Sequence, residues 1–232
     1  MSELTIIMPV YNERETLREA IADILDTEYP VDGYELLVVD DGSTDGSREL
    51  LAEGDWPDHV RVISHGANIG KGAAVQTGLR EARGTWTVTM DADLEYSAQD
   101  IPKLVEPLLA GNVDATMGVR TFGSHTAYNF WFVIAGKVLT VFMNMLYNSW
   151  ITDMLGAQKA MRTELFRSLR LREPGFGLET ETVAQLLLQR ARIQEVPVSY
   201  EARTREEGKK LTSLDGLRVL RALIRTRIAG RR

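Results

Sequence analysis

An α/β fold with a mostly parallel central sheet flanked by helices is what this sequence of 232 residues predicts. Two observations carry that expectation. Short apolar or β-branched runs alternate with stretches of helical periodicity, the rhythm of βαβ units. Several of those runs stop abruptly at polar residues, as strands do when they deliver side chains to the carboxyl edge of an open sheet, where ligands bind.

In chain order, Leu4 to Val10 is an apolar run that includes Pro9, and Leu17, Ala20, Ile21, Ile24 and Leu25 then recur at helical spacing within Glu13 to Thr27. Tyr34 to Val39 repeats the strand pattern and enters Asp40-Asp41-Gly42-Ser43-Thr44-Asp45, where Thr44 or Asp45 is placed to cap a helix through Leu51. Val60 to Ser64 is a third short strand, followed by the glycine-punctuated Asn68-Ile69-Gly70-Lys71-Gly72 and a helix from Ala73 to Ala82. Trp86 to Met90 gives a fourth strand, Asp100 to Leu109 a helix, and Asp114 to Val119 a fifth strand ending at Arg120. Further on, Gly156 to Met161 is strand-like and Glu164 to Leu169 a short helix. The Pro174-Gly175-Phe176-Gly177 loop leads to a helix through Arg190, and Ile193 to Tyr200 reads as a strand. A charge-dense segment from Arg203 to Lys210 precedes a last helix from about Ser213.

The chemistry concentrates after the fourth strand. Asp91-Ala92-Asp93 puts two carboxylates one residue apart at a strand end, the kind of hard oxygen site that holds Mg²⁺ or Mn²⁺ and bridges it to substrate phosphates.

Composition sets limits on the alternatives. The absence of cysteine excludes disulfides, thiol catalysis and thiolate zinc sites, and fits the cytoplasm. The first residues have no basic region or small-residue cleavage site and read as a strand, not a signal peptide. From Arg203 onward there are ten Lys and Arg against three acids, leaving 17 basic and 30 acidic residues before it. A basic tail on an acidic body suits contact with phosphate. Nucleic acid is not the expected partner, because basic and aromatic residues do not interleave.

Ala127 to Tyr147 is apolar nearly all round, with Lys137, Thr140, Asn144 and Asn148 forming one polar stripe. A central lysine costs roughly 2.5 to 3.5 kcal/mol on insertion scales, which argues against a membrane span. The expectation is a helix buried in the protein, or one whose apolar face meets lipid or a lipid substrate.

Taken together, Pro9-Val10-Tyr11-Asn12-Glu13, Val39-Asp40-Asp41-Gly42-Ser43-Thr44-Asp45, Asn68-Ile69-Gly70-Lys71-Gly72 and Met90-Asp91-Ala92-Asp93 resemble the inverting glycosyltransferases of family 2, above all the dolichyl- and polyprenyl-phosphate sugar synthases. The resemblance implies a GT-A-type sandwich, a nucleoside-diphosphate-sugar donor (GDP- or UDP-sugar) and a Mg²⁺ or Mn²⁺ ion. It divides residues 1–202, the glycosyltransferase domain, into a nucleotide-sugar part (1–120) and an acceptor part (121–202). Residues 203–232 become a basic lid and an amphipathic helix.

By the same resemblance, Pro9, Tyr11, Asn12 and Glu13 line the base and ribose pocket, and Asp40 or Asp41, beside Gly42, binds base or ribose. Gly70, Lys71 and Gly72 form a loop near the nucleotide, Asp91 and Ala92 face the ribose and metal, and Asp93 ligates the metal. Glu95, where many of these synthases carry glutamine, is a candidate third metal ligand. Arg120 would hold diphosphate or acceptor phosphate, and Arg203 or Arg205, with Arg203 favoured, would close over the diphosphate together with Lys209. The helix after Arg120 offers Lys137 and Asn144 where the family often has an arginine and a serine.

Two acceptors follow. A polyprenyl or dolichyl phosphate is already ionised and needs no strong base. A soluble hydroxyl acceptor needs one, and Asp153, Glu179 and Glu181 are the candidates. The expected location is cytoplasmic, with peripheral contact at the inner face of the membrane. A non-catalytic nucleotide-sugar-binding scaffold is the alternative of another class.

Overall fold

The computed structural model describes residues 3–125, 130–175, 177–203 and 213–230. Lys209 and the rest of the expected lid beyond Arg203 lie outside the described residues.

The first half follows the βαβ rhythm: β1 (Leu4–Val10), α1 (Leu17–Leu25), β2 (Tyr34–Asp40), α2 (Ser47–Glu53), β3 (Val60–Ser64), α3 (Lys71–Glu81), β4 (Trp86–Thr89) and α4 (Ile101–Leu109). The second half adds β5 (Ala115–His125), α5 (Phe130–Tyr147), β6 (Lys159–Arg162), α6 (Thr163–Ser168), α7 (Gly177–Leu188), β7 (Ile193–Tyr200) and α8 (Ser213–Ala229). One seven-stranded sheet runs through both halves in the order β3-β2-β1-β4-β6-β5-β7, and only β6 is antiparallel to its neighbours. The sheet is therefore continuous across the expected donor and acceptor parts.

Strands β1, β2 and β4 are buried on both faces because helices cover both, with Thr87 and Thr89 making up one face of β4. Leu4, Ile6, Met8, Val38 and Val88 pack on one side with α1 and α4, while Ile7, Val75 and Leu79 pack on the other with α3. Pro9 sits in this central strand without breaking a ladder bond. Backbone groups of odd-numbered β1 residues face β4, as the Met90 N–H to Ile7 O bond shows, and the β1–β4 pairing ends at Ile7 and Thr89. The missing N–H of Pro9 thus faces the gap beyond the end of β4.

That gap is the topological switch point, where the connections leaving β1 and β4 run in opposite directions along the strand order and a crevice opens at the carboxyl edge. Because β6 runs backwards, its first residue, Lys159, and the segment leading into it arrive at the same edge. Asp41, Asp91, Arg120, Lys159 and Tyr200 all cluster there, at or beside strand ends.

Helix α5 turns the middle of its polar stripe inward and leaves Lys137 and Asn148, at the stripe's two ends, exposed. Thr140 is buried, Asn144 donates to Ile151 O and accepts from the Ile151 N–H, and the Lys137 ammonium donates to Thr152 O. Ile134, Val138, Val141 and Met145, spaced at one helical face, are left exposed, Met145 at 79%. Helix α8 packs beside it, with Tyr147 donating to Leu223 O, and exposes Leu217, Ile224 and Ile228. Among the described residues no helix is long and apolar enough to cross a membrane.

Candidate active site

The Asp-x-Asp turn is fixed before any ligand is considered. Thr16 Oγ1 donates to Ala92 O at 2.8 Å, tying the turn to the start of α1 across the crevice, and the Glu95 N–H donates to Asp93 Oδ1 at 3.1 Å. Asp91 lies 2.8 Å from the Lys71 ammonium, which is also 2.8 Å from Glu179 Oε1. Glu179 Oε2 accepts from Lys159 at 2.7 Å, so the row Asp91–Lys71–Glu179–Lys159 alternates in charge.

Burial raises the pKa of Asp91, and although Lys71 pulls it down, Asp93 and Glu179 add to the rise, so it is pushed up to about 6. Burial and Glu95 likewise hold Asp93 above the ordinary carboxylate range, despite Arg203. Burial alone would raise Glu179 too, but Lys159 and Lys71 override it and keep it ionised. Two carboxylates held above their ordinary pKa gain most from a further cation. Among the described residues no three acidic or histidine side chains form a closed metal cage. Asp91 and Asp93 therefore suit an open site for a hard divalent ion that keeps water or substrate phosphates as its other ligands.

Glu95, expected as a third metal ligand, is directed elsewhere. Its Oε2 accepts from the Tyr200 hydroxyl at 2.7 Å and its Oε1 from the Arg203 N–H at 2.9 Å. Arg203 itself reaches back, with one guanidinium nitrogen 2.9 Å from Glu13 Oε2 and another 3.4 Å from Asp93 Oδ2.

The motif after β1 is built around Asn12, whose φ of 53° is tolerated by asparagine in the left-handed region. Its side-chain oxygen accepts from the Thr44 N–H at 2.8 Å, and its own N–H donates to Ser43 Oγ, which locks the Tyr11–Glu13 turn onto the Gly42 turn. Asp40 and Asp41 face different partners. Asp40 accepts from the Ser43 N–H and from Arg48. Asp41 accepts from the N–H groups of Ile69 and Gly70 and from His65, so it fixes the glycine loop. In that loop the close backbone approach is to the 173–174 segment: a Cβ on Gly70 would stand 2.3 Å from Pro174 O, and one on Gly72 2.1 Å from Glu173 O. Lys71 is already the first residue of α3.

On the other side of β4, Arg120 grips Asp153 through two parallel bonds of 2.7 and 2.8 Å. Burial would raise the Asp153 pKa, yet these bonds and the guanidinium charge hold it below the ordinary range. Glu181 points away from Asp91 and Asp93. It accepts from the backbone N–H groups of Arg172 and Glu173 and from Arg225 on α8.

Sequence reasoning did not single out Lys159 or Tyr200. A lysine inside the strand-like segment Gly156 to Met161 was the available signal for the first, which is only 2% exposed. A cavity of about 450 Å³ lined by Trp86, Asp114, Arg162 and Arg192 lies at the opposite edge of the sheet, away from these groups.

Residues 5–170 match the model of the family described as Glycosyl transferase family 2. The chain belongs to that family. Within it, glycosyltransferase AglJ of Haloferax volcanii is 31% identical over 218 residues, 92% of this chain and 67% of the relative. A dolichol-phosphate mannosyltransferase of Pyrococcus furiosus is 31% identical over 211 residues, 89% of this chain, and the chain spans only 59% of that relative. The fold agrees: glucosyl-3-phosphoglycerate synthase of Mycobacterium tuberculosis, solved with Mn²⁺, UDP and phosphoglyceric acid, has a TM-score of 0.74 at 23% identity, over 97% of this chain and 78% of that one. The expected family and GT-A-type architecture are thereby established, and a family 2 chain of this kind is a glycosyltransferase.

Proposed function

We propose that this glycosyltransferase moves a sugar, with inversion, from a GDP- or UDP-sugar to a polyprenyl phosphate at a membrane surface. The observation that carries the choice of acceptor is the state of the three candidate bases. Asp153 is held by Arg120, Glu179 by two lysines, and Glu181 by backbone N–H groups and Arg225. A carboxylate bound to cations is a weak proton acceptor. An acceptor phosphate is already ionised and asks for none.

In this reading Tyr11 and Glu13 border the nucleoside, and Asp91 and Asp93 hold Mg²⁺ or Mn²⁺, which when bound supplies Lewis-acid neutralisation of the leaving nucleoside diphosphate. Lys71, held between Asp91 and Glu179, stands beside that leaving group as a fixed cation. Arg120 presents its guanidinium to the incoming phosphate, and Asp153 holds the guanidinium in one orientation. The exposed apolar faces of α5 and α8, with Trp150 86% exposed next to them, give a lipid chain and a bilayer surface somewhere to lie. The polyprenyl- and dolichol-phosphate transferases among the relatives support the same acceptor.

A soluble hydroxyl acceptor with the same donor chemistry is the second reading, favoured by the phosphoglyceric acid bound in the structural neighbours. The test measures sugar transfer from GDP- and UDP-sugars with Mn²⁺ or Mg²⁺. Asp93→Ala should abolish it while far-UV circular dichroism is unchanged; undiminished transfer by that variant overturns the proposal. Asp153→Asn should retain transfer to polyprenyl phosphate more fully than a variant lacking its chemical base could.

A further inference from the structure

Tyr200 ends β7 at the carboxyl edge of the sheet and is 3% exposed. Contacts leave it in several directions. Its hydroxyl donates to Glu95 Oε2 at 2.7 Å, and the Arg120 guanidinium carbon lies 5.0 Å from the centre of its ring. The ring also tilts against Tyr96 at 5.0 Å. On the far side of Glu95, Oε1 takes the Arg203 N–H, and the Arg203 guanidinium spans Glu13 and Asp93. One aromatic residue therefore touches Arg120 with its ring and, through its hydroxyl, the Glu95 carboxylate that also holds Arg203.

Anchoring the end of β7 does not require this arrangement. The Glu201 N–H already bonds Glu95 O at 2.9 Å, backbone to backbone, whatever the side chain. Adding a carboxylate two residues from Asp93 brings a like charge to a crowded acidic site, which is unfavourable unless it does something else. Its two oxygens are aimed at Tyr200 and Arg203, the residues that lead to the two sides of the crevice.

We propose that Tyr200, held by Glu95, is a positioning residue that couples occupation of the donor-side acids to the setting of the Arg120 guanidinium on the acceptor side. The inference rests on the function proposed above for the identity of the two sides. A cation over a tyrosine face is held by the ring's negative potential. When Arg203 and Asp93 shift toward a bound ligand, Glu95 and the Tyr200 hydroxyl shift with them, and the ring carries the change to Arg120. Because coupling between sites is reciprocal, an acceptor phosphate on Arg120 strengthens donor-side binding by the same factor.

The experiment is calorimetric titration of the full chain with GDP or UDP in Mn²⁺ and with farnesyl phosphate, each alone and in the presence of the other. In the wild type one ligand should tighten the other by about fivefold or more. Tyr200→Phe keeps the ring beneath Arg120, so both separate affinities should stay within about twofold while the coupling falls to none. Glu95→Gln, whose amide can still bond the hydroxyl and the Arg203 N–H, should recover most of the coupling. Coupling in Tyr200→Phe equal to that of the wild type overturns the inference, as does a joint loss of both separate affinities, which marks a purely structural role. Wild-type binding of both ligands without coupling overturns this inference alone; no wild-type binding of either nucleoside diphosphate overturns the proposed function beneath it.

Discussion

The Lys71 ammonium stands 2.8 Å from Asp91 Oδ2, so the first acid of the Asp-x-Asp turn is already paired with a cation of the chain. Glu179 shares the ammonium, and both acids raise the lysine's pKa despite the opposing effect of burial. Lys71→Met removes the cation and leaves Asp91 facing Asp93 and Glu179. The expected loss is roughly 3 kcal/mol in urea unfolding without divalent metal. Mn²⁺ should then raise the melting temperature more in the variant than in the wild type, because an ion bound to the native state alone stabilises it.

Acid stability should be governed in part by Glu35, far from the crevice. Burial would raise its pKa, but hydrogen bonds from Thr5, the Arg83 N–H and Arg61, with the Arg61 charge, bring it below the ordinary value. A group with a depressed folded pKa lends stability above its unfolded value, and that contribution is lost as pH falls through the folded value. Glu35→Gln should therefore cost about 1–3 kcal/mol at pH 7, and the difference from wild type should shrink below about pH 4. Urea midpoints measured from pH 7 to pH 3 check this.

The outward stripe on α5 makes a prediction about surfaces. Replacing Val138 and Val141 together with aspartate removes two exposed apolar side chains and adds two negative charges beside the exposed Arg221 helix. Co-sedimentation with phosphatidylglycerol vesicles should fall by at least about tenfold, since each valine buried in the interface contributes about 1.5 kcal/mol. Unchanged vesicle binding would leave the exposed stripe without a lipid role.

The strand–helix alternation was legible because each central strand is buried on both faces and so reads as a short apolar or β-branched run. Element ends were less so. Thr44 or Asp45 is expected to cap the second helix, but Gly46 at φ 97° holds the cap position, and Asp45 accepts from the N–H of Ser47, the first residue of α2, and from that of Arg14. The four motifs were readable as a set converging on one edge, since parallel strands leave their carboxyl ends together. What could not be read was which neighbour each side chain meets. Gly70 and Gly72 signal close approach, but only the fold shows that the approaching backbone is Glu173 and Pro174. Glu95 resembles one more acid after an Asp-x-Asp pair until β7 brings Tyr200 and Arg203 to it, partners more than a hundred residues away. On α5 the pattern left the direction of the polar stripe open; the turn at residues 149–152 draws Asn144 inward, while Lys137 and Asn148 stay exposed.

Placing β6 between β4 and β5 has a consequence for synthesis. As the chain emerges from the ribosome, β1 to β4 can pair among themselves, but β4 then presents a bare edge and β5 has no strand beside it until Lys159–Arg162 appear. An unpaired edge on a growing chain is a site for pairing with the wrong partner. Whatever shields β4 during that interval bears on how much active protein a cell obtains, and a chain cut before β6 should aggregate rather than persist as a donor-binding half.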